Sequence, residues 1–294
     1  MRAVGVILNT FRETVRQPFY FLLLAGGVAA ILVTLRLPFF TLEQDTDMYK
    51  ELGLSFVLLF VMLAGLLAAA TGVAREVEDR TAQTVLSKSI GRAQFIVSKY
   101  LGVMAAVGLG VAVLGVVFVA AVYYRVKVDA GVLEVQYTRG GIGREVEAFH
   151  ARQVNQALTV TPGLVLVLLQ VGVLAAVATA LSTRLSAAAS VGLGLAAYLL
   201  GHLTVFLESA THLAGTAWQA GAQAMVAALP FLEVFNINQK LAHTMLTPFE
   251  AGTPGAAAWT ETWVYVGWSA LYATAYVAFA IGLAVVLFRR RSIG

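Results

Sequence analysis

The 294-residue chain is 59% apolar and 12% charged with a mean hydropathy of +0.81, a composition outside the soluble range that only burial in lipid accommodates. It holds no cysteine, which excludes disulfides, thiolate metal sites and cysteine nucleophiles. The net charge of +4 would hint at nucleic acid in a soluble chain, but in a membrane chain the placement of charge between apolar runs matters more, and no nucleic-acid partner is expected.

At the N-terminus, Val4, Ile7, Leu8, Phe11 and Val15 share one arc of about 100° on a helical projection, and Arg2, Arg12, Glu13 and Arg16 take the other side. Residues 1–17 are therefore expected as an amphipathic helix lying in the membrane interface, not as a cleavable signal peptide. Pro18 marks the turn into the first of six apolar runs: Phe19–Leu35, Leu52–Ala74, Tyr100–Val122, Gly163–Leu181, Leu185–Leu207 and Trp263–Phe288. None carries Asp, Glu, Lys or Arg between its ends, and each is of the length a hydrocarbon core about 30 Å thick requires. Glycines 102, 108, 110 and 115 in the third run, and 192 and 194 in the fifth, permit close helix approach.

Between the second and third runs lies REVEDRTAQTVLSKSIGRAQFIVSK, residues 75–99, with five basic and three acidic residues. A turn between two spans needs only a few polar residues, as the Ser182–Arg184 connection shows, so this loop is longer and more charged than a turn requires. Thr81, Thr84, Val85, Leu86 and Ile90 allow a short helix with a partly apolar face. Residues 125–162 form a polar outer insertion. The alternation in YYRVKV and LEVQYTR around DAG predicts a small β-hairpin, and GREVEAFHARQVNQAL after it reads as helical. The glycines at 140–143 lack the spacing of a phosphate-binding loop, so no nucleotide site, and no cofactor, is expected in this chain. His150, His202, His212 and His243 show no paired metal spacing, and a polar rim is the simplest role for His202, Glu208 and His212. Residues 208–262 read as an extracytoplasmic, partly re-entrant segment with a short outer-leaflet helix at 214–229.

Twelve Lys and Arg fall on the side of the N-terminus (Arg2, Arg12, Arg16, Arg75, Arg80, Lys88, Arg92, Lys99, Arg184, Arg289, Arg290, Arg291) and eight on the other. The positive-inside rule then places both termini in the cytoplasm. The expected fold is an all-α, six-span integral membrane protein, one transmembrane domain over 1–294, in the cytoplasmic (inner) membrane.

The charged loop also carries a resemblance. It is similar to the type-2 ABC transporter permeases, the transmembrane subunits of export-type transporters, whose loose pattern is E-x-E-x-G-T-x-x-x-L-L-x-x-P-x-x-R followed by a Lys seven residues on. Glu76, Glu78, Thr81, Val85, Leu86, Arg92 and Lys99 fill those places, while Arg80 stands at the usual Gly and Ser89 at the usual Pro. Residues 180–202 and 229–241 resemble the family's fourth-to-fifth-span turn and the segment before its last span. The resemblance implies a coupling loop at 75–98, with residues 81–89 (Thr81, Thr84, Val85, Leu86 and Ser89 among them) as the docking helix. Glu76, Glu78 and Arg80 would form its charged flank, and Arg92 and Lys99 would fix the re-entry. It implies a cytoplasmic P-loop ATPase that carries the ATP and Mg, a second permease chain as homo- or heterodimer, lipid, and no catalytic residue here. Two other functions compete: a non-transport subunit driving an extracytoplasmic partner, and an intramembrane enzyme. The lack of ionisable residues inside the spans, His202 apart, argues against the enzyme.

Overall fold

Backbone amides have no water to bond in lipid, so an apolar chain must satisfy them within each segment, and helices do this. The computed structural model describes residues 2–36, 45–78, 91–137, 144–203, 229–237, 246, 248 and 253–289. Among them lie α1 (Arg2–Val15), α2 (Pro18–Thr34), α3 (Asp45–Glu78), α4 (Arg92–Tyr137), α5 (Arg144–Leu158), α6 (Thr161–Ser182), α7 (Ala187–His202) and α8 (Pro254–Arg289). A 3-10 turn at Leu232–Phe235 precedes α8, and no strand occurs among the described residues.

Local chemistry sets the boundaries. Gln17 is extended (φ −73°, ψ 134°) and Pro18 opens α2, where a missing N–H leaves nothing unsatisfied. The helices flanking this break are bent by 61°. Ser186 starts α7 by accepting the Ala189 N–H at 3.4 Å. The Thr253 hydroxyl does the same for the Ala256 N–H at the start of α8, at 3.3 Å.

Among the described residues, four helical stretches are long and apolar enough to cross a bilayer: Thr46–Ala74, Arg92–Val126, His150–Ser182 and Pro254–Phe288. The bent α1–α2 pair makes a fifth when counted as one span, and α7 is a shorter apolar helix of 16 residues. The six expected runs fall on α2, α3, α4, α6, α7 and α8; the end of the fifth, beyond 203, lies outside the described residues, as does the helix expected at 214–229.

α6 is the pillar. In the stretch that contains it, 72% of the most apolar window is buried, against 28% for α8. Leu166, Val171, Leu174, Ala175, Ala176 and Ala178 have no exposed surface and meet α3, α4, α7 and α8. Glycine permits the tightest crossings. A methyl group at Gly194 would lie 2.7 Å from Leu66 Cδ2, and one at Gly102 would lie 2.8 Å from the Ile7 carbonyl oxygen. Gly108 and Gly192 face open space within 4 Å, so only some of the expected glycines mark a contact.

The hairpin expected from YYRVKV and LEVQYTR around DAG is overturned as far as the described residues reach, because α4 runs unbroken for 46 residues to Tyr137. Once a helix is nucleated in the span, each further residue adds a hydrogen bond at little cost, whereas a new hairpin must close its own turn. Phe118, Ala121, Val122 and Arg125 are buried at helical spacing and hold this part of α4 to the bundle. Val128, Val132 and Val135 continue that spacing (i, i+4, i+7), so the alternation of valines fits a helix as well as a strand. The helical reading of 144–158 holds, as α5.

Candidate functional site

Charge inside an apolar bundle is costly unless paired, so a buried cation marks a contact the bundle is built around. Lys99 is 2% exposed on the second turn of α4, and its Nζ lies 3.7 Å from Glu13 Oε2 on α1. One turn earlier, Phe95 (1% exposed) stacks on Phe288 near the end of α8, centroids 5.9 Å apart and planes 22° apart, and Ile96 is fully enclosed. Arg184, on the α6–α7 turn, donates from Nη2 to the Leu287 carbonyl at 2.9 Å, placing a cation at the negative end of the α8 dipole. The start of α4 is thereby bound to α1 and α8, and the end of α8 to the α6–α7 turn, at one end of the molecule.

Of the predicted coupling residues, Arg92 and Lys99 lie at this junction. Glu76 and Glu78 belong to the last turn of α3. Arg92 opens α4 half-buried and Lys99 sits beneath it. Arg80, Thr81, Thr84, Val85, Leu86 and Ser89, and the docking helix expected at 81–89, lie outside the described residues. The sequence had not singled out Glu13 or Phe288 as neighbours of the loop, nor Arg184 as a cap.

α1 has three faces. Thr10 and Thr14, 2% and 4% exposed, lie against α4 with Ile7; Phe11 and Val15 pack on Tyr20, Ala64 and Ala106. Val4 and Leu8 stay 56% and 47% exposed beside the exposed Arg12 and Arg16.

Polar contacts fasten the rest of the bundle. At the far end, Lys50 (2% exposed) meets Asp47 Oδ1 at 3.0 Å and donates to Gln156 Oε1. Arg125 (4% exposed) donates to the Leu35 carbonyl at 2.9 Å, capping α2, and lies 6.0 Å from the Tyr49 ring centre. Midway, His202 Nδ1 donates to the Tyr198 carbonyl at 3.0 Å. That fixes the tautomer, so Nε2 accepts from the Gln170 amide at 3.3 Å. His202 is thus a satisfied polar link between α6 and α7; Glu208 and His212 lie outside the described residues.

The segment returning to α8 is seated within the bundle. Phe231 N–H donates to the Tyr272 hydroxyl at 2.8 Å, and the Tyr265 hydroxyl donates to the Val234 carbonyl at 2.6 Å. Gly201, at the end of α7, leaves room for the Pro230 carbonyl and Leu232. Leu232 and Phe235 are buried, and these contacts satisfy part of the irregular backbone against the bundle.

The long apolar helices define a multi-pass membrane protein. Residues 37–140 match the family described as "ABC-2 membrane transporter related", a stretch that spans α3, the charged loop and α4. The match over that stretch supports an ABC-2 type permease, a membrane transporter subunit. No significant match to a curated protein is found.

Proposed function

We propose that this chain is the permease of an ATP-driven exporter in the cytoplasmic membrane, with six spans and both termini in the cytoplasm. ATP hydrolysis takes place on a separate P-loop ATPase that docks on residues 75–98, and two permease chains pair to form the conduit. The observation that carries the reading is the junction at the base of α4. A push on the loop enters α4 through Arg92 and meets Phe95–Phe288 and Lys99–Glu13 within two turns, so it is delivered at once to α1, α4 and α8. Packed helices of this kind switch between discrete arrangements rather than deform smoothly, which suits transmission of a nucleotide-driven movement. The charged flank of Glu76, Glu78, Arg80 and Arg92 would align the ATPase, and no residue of this chain would act in catalysis.

The test is capture of the partner ATPase by the detergent-solubilised permease. Arg80→Glu with Arg92→Glu is expected to weaken capture about tenfold or more, as charge reversal does at a docking rim, while insertion is unchanged. Full complex formation and full stimulated ATPase activity in that double variant would refute docking on this loop. Because the chain has no cysteine, single cysteines at Ser89 and Thr138 report topology directly. The first is expected to react from the cytoplasm and the second from outside; the reverse pattern would overturn the orientation.

A further inference from the structure

We infer that α1 is a docking surface for the anionic cytoplasmic leaflet, and that its grip on α4 transmits that attachment to the base of the ATPase-docking loop. The inference rests on the cytoplasmic placement of α1 proposed above.

Protein covers only part of α1. Thr10, Thr14 and Ile7 lie on α4, while Val4, Leu8, Arg12 and Arg16 are left outward. A seam of exposed apolar side chains bordered by arginines fits the boundary between acyl chains and negative headgroups, where both are satisfied at once. The acidic residue on this helix does not cancel the seam, because Glu13 is drawn to Lys99. The exposed Arg184 adds positive charge at the same end of the molecule.

Two features make α1 move with α4 rather than with α2. The break at Gln17–Pro18 and its 61° bend free α1 from being an extension of α2. Gly102 lets the α1 backbone sit directly on α4, and the Lys99–Glu13 pair closes the contact one turn nearer the loop. Lipid charge acting on Arg12 and Arg16 is thereby felt over residues 92–102.

The experiment is hydrogen exchange on the full-length protein in nanodiscs of neutral phosphatidylcholine, or of phosphatidylcholine containing phosphatidylglycerol. Phosphatidylglycerol is expected to slow exchange across 3–15 by about fivefold per engaged arginine, and to slow residues 92–102 in step. Arg12→Gln with Arg16→Gln, both exposed positions, should abolish the lipid response in both segments. Glu13→Gln should keep the response of α1 and lose that of 92–102; the paired variant Glu13→Gln/Lys99→Gln checks that this is not loss of folding. Equal exchange in the two lipids, or an undiminished response in the arginine variant, would sink the lipid surface. A wild-type response confined to α1 would sink the transmission, and protection of α1 only by added ATPase would assign the seam to that protein instead. No ATPase is present in the main assay, so failure of loop docking leaves this result standing. Labelling of an α1 cysteine from outside would instead condemn the proposed topology.

Discussion

Lys99 and Glu13 differ in what their loss leaves behind. Glu13 is 43% exposed and can return to water, whereas Lys99 is 2% exposed and cannot. Glu13→Gln therefore takes a carboxylate away from a buried cation and is expected to cost about 1–3 kcal/mol, seen as a lower melting temperature of the purified protein. Lys99→Met removes the charge but keeps the volume, and should melt near or above wild type. Equal losses from the two substitutions would mean that the pair is not what stabilises this junction. Lys99 was singled out by its place in the family pattern, but its partner was not. Glu13 reads in the sequence as one more charge on a polar helix face; only tertiary packing brings it to α4. Phe95 and Phe288 were likewise hidden, since two aromatics in apolar runs carry no sign of each other.

At the scale of elements, α4 supplies the sharpest test. Spin labels at positions 126 and 135 should lie about 14 Å apart along a continuous helix, whereas a hairpin turning at 129–131 would bring its strands to about 5 Å. A short distance would restore the hairpin. A second test compares glycines of one helix: Gly102→Leu should dislodge α1 and cost about 1–3 kcal/mol, while Gly108→Leu, facing open space, should leave the melting temperature unchanged. Helix existence was legible in the six apolar runs, because segments of membrane length must satisfy their own backbone. The extent of α4 was not: Val126, Val128 and their neighbours fit two periods at once, and continuation from the span decides between them. The break before α2 was legible, because proline accepts a helix start and resists a helix interior.

Taken whole, the molecule is a set of walls around α6. Ala175→Leu, at a position with no exposed surface, should overpack the centre and lower stability by about 1–3 kcal/mol. Ala278→Leu, on the exposed side of α8, should be silent in the same thermal assay. The sequence announces each of these runs as membrane-spanning, yet it does not say which one is central, because α6 and α8 are apolar on all sides and show no preferred face. Arg125 and Arg184 complete the assembly from opposite ends, one holding the last carbonyls of α2 and the other those of α8.

The position of α6 also bears on biogenesis. A ribosome delivers α3 and α4 first, so one side of the pillar's surroundings exists before the pillar does. Until α6 is released from the insertion machinery, the seat of Val171 against Gly65 is open to acyl chains, which must then be expelled. Damage to α6 should accordingly appear as lost yield during membrane insertion, with degradation of half-assembled chains, before any purified protein exists to be assayed.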